Sequence, residues 1–189
     1  PFHPRSPYGI SKLAAPWLTV NYREAYGLHT SSGILFNHES KYRGDDFVTQ
    51  KIAKYVATYP HKEPLLLGNL EAKRDWSHAE DMVHGMWLML RKGGDYVLAS
   101  GETRTVRDFV EAAFKIKGLD ISWKGSGINT KGMVENRVVI ALDSKFYRPA
   151  EVDVLLGDAS KSLRELGWTT TIPFEKLVSE MVTYQSKKA

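Results

Sequence analysis

The sequence predicts an α/β fold in which the end of a parallel sheet is followed by a smaller α/β lobe. Helical and strand-like patterns alternate along roughly the first hundred residues, as they do in parallel α/β sheets. The alternation becomes less regular later in the chain. A chain of 189 residues can bury one substantial core, or a main lobe with a smaller one attached.

The first predicted elements are a helix, a short strand and a second helix. Apolar residues recur at three- and four-residue intervals over 7–26, which predicts a helix that ends at Gly27. The apolar run 31–37 predicts a buried strand. An amphipathic pattern over 47–59 predicts the second helix, ended by Pro60.

A strand and a capped helix follow. The run 64–69 reads as a brief strand that ends in a turn. The letters SHAE match a capping box, with Ser77 as the N-cap and Glu80 at the third helical position. This helix is expected to end at the glycine pair 93–94.

The middle of the chain is predicted to hold a strand over 95–100 and a helix capped by Thr105 and Asp108 that ends near Gly118. The glycines and polar residues of 121–136 then predict a mobile loop.

The last predicted elements are a strand over 138–142 and two helices. Asp158 is expected to cap the first of these helices and Gly167 to end it. The final helix is expected to begin near Pro173. A kink is expected at Pro16, because the proline ring removes an N–H inside the first helix.

Composition narrows the functional classes. The net charge is +4, but lysine and arginine are scattered and never form a run of five or six, so nucleic-acid binding is not favoured. The excess of positive charge is explained either by a cleft for a phosphate-bearing ligand or by a solvated basic surface. With no cysteine and no metal-ligand spacing among six histidines, no metal site is expected, and the composition suits a reducing cytoplasm. The longest apolar stretch, 86–90, is too short to cross a membrane.

The stretch SPYGISK places Tyr8 and Lys12 four residues apart on the first predicted helix. Residues at this spacing share a helix face. A neighbouring ammonium favours the phenolate, which can take a proton from a substrate hydroxyl. The bare spacing is weak evidence, because most chance matches to it are structural.

Longer blocks give the motif a context: PRSPYGISKLAA, GILFNHES, RGDDFVTQKI, GNLEAKRDWSHAEDMV and YRPAEVDVLLGDASKSLRELGW. In this order they resemble the extended short-chain dehydrogenase/reductase superfamily and, within it, the GDP-mannose 4,6-dehydratase family. The resemblance implies a Rossmann-like doubly wound parallel sheet plus a smaller α/β substrate-binding lobe.

The resemblance also implies a division of the chain. Residues 1–62 would be the C-terminal part of an NADP-binding domain, with returning segments after about residue 75, and 63–189 would mainly bind the nucleotide sugar. The glycine-rich dinucleotide turn and a catalytic glutamate are expected before Pro1, in an N-terminal half of the same subunit.

Site roles are carried over by position. Tyr8 would be the active-site base, and Lys12 would assist it and bind the nicotinamide ribose. His38 and Arg43 would contact NADP, although Tyr42 stands where family members usually have a second basic residue. The nucleotide sugar would be held by a further set of residues: Asn37, Lys51, Arg74, Arg148 and Glu151.

Each of these assignments has a plainer alternative. Arg74 could form a salt bridge with Asp75, and Arg148 could pair with Glu151 on a surface. His38 could be an ordinary loop histidine.

The resemblance implies conversion of GDP-mannose to GDP-4-keto-6-deoxymannose, the first step towards GDP-fucose, by a homodimer or homotetramer. The steps would be oxidation at C4 by bound NADP, loss of water across C5 and C6, and return of hydride to C6. Two alternatives remain open: another nucleotide-sugar epimerase or dehydratase, and a non-catalytic nucleotide-sugar binding fragment.

Overall fold

A computed structural model describes residues 2–147 and 152–188. Within them the helices are α1 (Pro7–Tyr26), α2 (Val48–Ala57), α3 (Ala79–Lys92), α4 (Val106–Ile116), α5 (Ser160–Leu166) and α6 (Phe174–Ser186). The strands are β1 (Ser31–Leu35), β2 (Asn37–Glu39), β3 (Leu65–Leu67), β4 (Lys73–Arg74), β5 (Trp76–His78), β6 (Gly94–Leu98), β7 (Arg104–Thr105), β8 (Ile121–Lys124), β9 (Lys131–Val134) and β10 (Arg137–Leu142).

The predicted parallel α/β unit is formed by β1 and β6. The two strands pair in parallel from Ser31 opposite Gly94 to Leu35 opposite Leu98. Because successive side chains on a strand point to opposite faces, Asp95 and its neighbour Tyr96 face different helices. Asp95 binds Arg23 of α1, while Tyr96 packs into the cluster that includes α3. Helices therefore cover both faces, as the doubly wound fold requires.

A second, larger core lies beneath a four-stranded sheet with the order β3-β10-β9-β8. Helices α2, α4 and α6 pack on one another. Their buried side chains join those of the sheet: Ile52, Val56, Leu67, Phe109, Val110, Phe114, Val139, Ile140, Leu177, Val178, Met181 and Val182. Since α2 belongs to this core, the division at residue 62 stays a prediction.

Helix α1 has the bounds that its pattern predicts. Ser6 caps it, and its hydroxyl accepts a hydrogen bond from the Gly9 amide at 3.0 Å. Gly27 ends it in the left-handed conformation, with φ of 63°. The helix continues through Pro16, and the kink predicted there stays a prediction.

The capping box predicted at Thr105 is confirmed. The Thr105 hydroxyl accepts from the Asp108 amide at 3.0 Å, and the Asp108 carboxylate accepts from the Thr105 amide at 2.7 Å.

The prediction of Ser77 as an N-cap is wrong. Ser77 lies in β5, which pairs with β2, and this pairing keeps the backbone extended through His78. His78 is the N-cap of α3, and its Nδ1 accepts from the Glu80 amide at 3.1 Å. The helix ends at Gly93, as predicted.

The mobile loop predicted over 121–136 is also wrong. Strands β8 and β9 pair antiparallel there, joined by a short 3-10 turn at Gly127–Asn129. The residues of β8 alternate between half-buried Ile121 and Trp123 and exposed Ser122 and Lys124. This period of two is a strand signal that the glycines and polar residues hid.

The last two helices follow the prediction with one correction. Gly167 ends α5, with φ of 65°, and α6 begins directly after Pro173. The N-cap of α5 is Ala159 rather than Asp158. The Asp158 carboxylate, one residue before this N-cap, still accepts a hydrogen bond from the Ser160 amide at 2.9 Å.

None of the helices within residues 2–147 and 152–188 has the length and apolar character needed to cross a membrane.

Candidate functional site

A cleft of about 780 Å³ opens between α2, β3, β4 and the segment 145–147. Three of the residues predicted to bind a nucleotide sugar line it: Asn37 at the start of β2, Lys51 on α2 and Arg74 in β4. The fold thus brings together side chains that are far apart in sequence. The volume lies within the range of small-molecule sites.

The walls of this cleft are both cationic and aromatic. Trp76, Phe146 and Tyr147 line it beside the charged groups. The Lys51 ammonium lies 5.9 Å from the centre of the Phe146 ring. Arg74 donates from Nη1 to the carbonyl oxygens of Lys73, at 2.8 Å, and Val152, at 2.7 Å, which orients its guanidinium.

Glu39 and Arg43 form a pair in the wall of the cleft, in which the carboxylate is buried and the guanidinium is half-buried. Glu39 is 3% exposed, and its carboxylate lies 3.0 Å from Nε of Arg43. The Arg43 guanidinium also stacks on Phe47, 3.4 Å from the ring centre. Burial raises the pKa of Glu39 to about 7, against the opposing effect of the Arg43 charge.

Glu39 is absent from the sequence-based assignments. The spacing of four between Glu39 and Arg43, just after an apolar strand, was a signal that could have found the pair. Burial of the carboxylate follows from the pairing of β2 with β5, which no local pattern shows.

His38, predicted to contact the cofactor together with Tyr8, Lys12 and Arg43, is half-buried in β2. Its Nδ1 lies 2.9 Å from the Phe36 carbonyl oxygen. A carbonyl only accepts, so this nitrogen carries the proton. Among the described residues His38 does not line the cleft, whereas Arg43 does.

Tyr8 and Lys12 share one face of α1. The Lys12 ammonium lies 5.4 Å from the centre of the Tyr8 ring, and Tyr8 is 71% exposed. Lys12 lines a different, mostly apolar cleft between α1 and β1, with Ser32 and Ile34 on its wall. The pair is assembled as predicted, but outside the cleft that holds Arg74.

Arg148 and Glu151 lie outside the described residues. The alternative interpretation of Arg74 was a salt bridge with Asp75. In the described part of the chain, other groups bind the Asp75 carboxylate. That carboxylate accepts hydrogen bonds from Ser100, Gly101 and Gly157.

Within the described ranges, no group of three or more histidine, aspartate or glutamate side chains is arranged to hold a metal ion.

Comparison with known proteins gives a consistent result. The family described as GDP-mannose 4,6 dehydratase matches residues 1–181. The chain is 52% identical to a GDP-mannose 4,6 dehydratase of Drosophila melanogaster, covering 96% of this chain and 48% of that protein. It is 50% identical to the protein of the same name from Homo sapiens, covering 96% and 50%. The chain therefore spans about half the length of the curated relatives it matches.

Solved structures show the same fold at lower identity. RMD from Pseudomonas aeruginosa complexed with NADPH superposes with a TM-score of 0.83 at 23% identity, covering 99% of this chain and 58% of that one. A dTDP-glucose 4,6-dehydratase from Bacillus anthracis in complex with NAD gives 0.78 at 20% identity, covering 99% and 54%.

Proposed function

This chain belongs to the GDP-mannose 4,6-dehydratase family, and from that premise we propose that it binds the substrate of an enzyme that converts GDP-mannose to GDP-4-keto-6-deoxymannose. The observation that carries the proposal is the convergence of Asn37, Lys51 and Arg74 on one cleft.

The charges of the cleft suit a nucleotide diphosphate sugar. A pyrophosphate is matched by guanidinium and ammonium donors, which Arg74 and Lys51 supply. The aromatic rings of Phe146 and Trp76 offer flat apolar surface for a base or a sugar. Asn37 adds both a donor and an acceptor for hydroxyl groups. Arg148 and Glu151 are proposed to complete the set from the segment between Tyr147 and Val152.

The side chains on α1 fit a nicotinamide cofactor, which we propose to be NADP. Tyr8 lies on an exposed face, and the Lys12 ammonium, 5.4 Å from the centre of the Tyr8 ring, can donate to ribose hydroxyls. Arg43 and His38 are proposed as further contacts. When bound, NADP takes up the hydride of C4 and returns it to C6.

The chain's own residues then have defined tasks. The phenolate of Tyr8 takes the proton of the 4-hydroxyl while C4 becomes a carbonyl, and the Lys12 ammonium stabilises that phenolate. The new carbonyl acidifies the C5 proton. A base from the remaining half of the subunit removes this proton and passes it to the C6 hydroxyl, which leaves as water. When the hydride returns to C6, C5 takes up a proton that replaces, in the overall balance, the one lost from the 4-hydroxyl. The overall change is the loss of one water molecule.

The exposed side of α1 suits a partner segment. No residue of this 20-residue helix is buried within the described structure, and Trp17, Leu18 and Tyr22 are more than half exposed. Contiguous apolar surface of this kind marks an interface. We propose that the remaining half of the subunit covers it, within a cytoplasmic homodimer or homotetramer.

One test is conversion of GDP-mannose by a complete subunit, built by joining this chain to the remaining half of the Drosophila relative. We expect a product lighter by one water. Substrate carrying deuterium at C4 should give product with deuterium at C6. A product without that label, or no product, would contradict the proposed reaction.

A second candidate is another enzyme of the superfamily, because similar folds include a dTDP-glucose dehydratase and UDP-sugar epimerases. Binding of GDP-mannose, UDP-glucose and dTDP-glucose by the same subunit separates the two. Preference for a uracil or thymine nucleotide would favour the second candidate.

A further inference from the structure

Asp75 lies between two residues of the cleft wall, Arg74 in β4 and Trp76 in β5, and its own side chain is 0% exposed. One carboxylate oxygen accepts from the Ser100 amide at 2.8 Å and the Ser100 hydroxyl at 2.6 Å. The other accepts from the amides of Gly101 at 3.0 Å and Gly157 at 3.2 Å. Backbone amides therefore stabilise this buried charge.

These bonds join two separate stretches of chain to the cleft wall. The turn at Ser100 and Gly101 follows the carboxyl end of β6, where Gly101 has a φ of 77°. Gly157 ends a segment that packs closely, since a Cβ there would lie 2.2 Å from the Ala99 Cβ.

The segment 152–157 runs beside β4 and is fixed along its length. The Lys73 amide donates to the Asp153 carbonyl at 2.8 Å, and the Leu155 amide donates to the Lys73 carbonyl at 3.1 Å. At one end the Val152 carbonyl accepts from Arg74, and at the other the Gly157 amide binds Asp75. The segment thus links the Asp75 carboxylate to the Arg74 guanidinium.

We propose that Asp75 is a positioning residue of the substrate cleft, which holds the segment 152–157 so that the Val152 carbonyl orients the Arg74 guanidinium towards the ligand. This inference rests on the proposed function and adds to it a residue that does not line the cleft. Glu151, predicted to bind the sugar, directly precedes Val152 in sequence.

Only a carboxylate satisfies this arrangement. In Asp75→Asn one oxygen becomes an NH₂ group, which cannot accept a hydrogen bond. Either the Ser100 amide or the amides of Gly101 and Gly157 then face another donor, whereas the Ser100 hydroxyl can turn to donate to the Glu102 carbonyl oxygen. If the amides of Gly101 and Gly157 lose their acceptor, the segment 152–157 is released at Gly157.

The experiment compares Asp75→Asn with Asp81→Asn in the complete subunit. Asp81 is also a buried carboxylate, which accepts from the Thr171 hydroxyl at 2.7 Å and the Ile172 amide at 3.1 Å. Unlike Asp75, it has no sequence neighbour in the cleft wall. We expect Asp75→Asn to raise KM for GDP-mannose about tenfold with kcat nearly unchanged. Asp81→Asn should lower the melting temperature comparably and leave KM unaltered.

Hydrogen exchange gives a readout independent of turnover. The amides of Ser100, Gly101 and Gly157 should lose protection in Asp75→Asn and keep it in Asp81→Asn. The milder Ser100→Ala, which removes one of the four bonds, should give a smaller rise in KM and guards against a variant that does not fold.

Equal KM effects in the two asparagine variants, or no change in KM in Asp75→Asn, would overturn the positioning role. Failure of the wild-type subunit to bind GDP-mannose would instead contradict the proposed function and, with it, this inference.

Discussion

At the scale of single residues, Tyr8 and Lys12 show what sequence spacing alone can predict. Four residues on a helix bring two side chains to one face, and the structure places the ammonium 5.4 Å from the Tyr8 ring. The local geometry of the pair thus follows from helical periodicity. The pair's relation to a ligand depends on surfaces beyond α1.

Replacing Tyr8 by phenylalanine tests its role as the base. In the complete subunit we expect kcat to fall about 10²- to 10⁴-fold, because the phenyl ring cannot accept the 4-hydroxyl proton. Binding of GDP-mannose, measured by calorimetry, should change little. Tyr22→Phe is the matched control on the same helix, and equal losses in the two variants would contradict a catalytic role for Tyr8.

We expect Glu39 to make the stability of this chain depend on pH. Burial raises its pKa from 4.5 to about 7, so the folded chain holds this proton in a pH range where the unfolded chain has lost it. The stability that this group contributes is therefore present below about pH 4.5 and is lost as pH rises to about 7.

The variant Glu39→Gln stays uncharged throughout this range. Relative to this variant, the wild type should lose up to about 3 kcal/mol of unfolding free energy between about pH 4.5 and about pH 7. Above pH 7 the difference should change little. Urea unfolding at several pH values measures the difference, with Glu63→Gln as an exposed control. A difference that is constant with pH would contradict the raised pKa of Glu39.

At the scale of elements, the hairpin of β8 and β9 depends on its glycines. Gly125 has a φ of 83°, and a Cβ there would lie 2.4 Å from the Asn129 carbonyl oxygen. Gly127 also has a positive φ, of 53°, but nothing lies within 4 Å of its Cβ position. A side chain at Gly127 would therefore meet backbone strain alone, whereas one at Gly125 would also collide with a carbonyl oxygen.

Substitution by alanine should therefore affect the two positions unequally. Gly127→Ala is expected to cost about 1 kcal/mol of unfolding free energy, from strain alone. Gly125→Ala should cost more, because the carbonyl must also move. Denaturant unfolding of both variants makes the comparison, and equal losses would show that the turn absorbs the collision.

At the scale of the whole molecule, the two faces of the β1–β6 pair are covered unequally. On one face α3 buries Met82 and Met89 against Tyr96 and Leu98. On the other, α1 is tied by Arg23 to Asp95 at 2.7 Å yet buries no residue within the described structure. The Arg23 guanidinium also lowers the pKa of Asp95. An ion pair this exposed adds little stability, so we expect further apolar contacts to hold α1 in the complete subunit.

We expect the 189-residue chain alone to give no turnover of GDP-mannose and the subunit completed with the remaining half of the Drosophila relative to give it. The reason is that the cofactor-binding half and the base for C5 are proposed to lie outside this chain. The completed subunit carrying Tyr8→Phe controls for contaminating activity. Turnover by the isolated chain would contradict the requirement for the other half.

Local sequence was sufficient to predict the features that depend on residues nearby in the chain. The bounds of α1, the capping box of Thr105 and the glycine ends of α1 and α5 depend on neighbours within one or two turns. The parallel α/β arrangement and the family also followed from patterns in the sequence.

Tertiary structure decided the features that depend on distant partners. Pairing of β2 with β5 moved the cap of α3 from Ser77 to His78 and buried Glu39. Pairing of β8 with β9 made a hairpin from a stretch that reads as a loop. The cleft around Arg74 brings together residues as far apart in sequence as Asn37 and Tyr147, and the Asp75 carboxylate binds an amide 82 positions away. Such contacts form only when the chain folds, because neither partner has a local signal of the other.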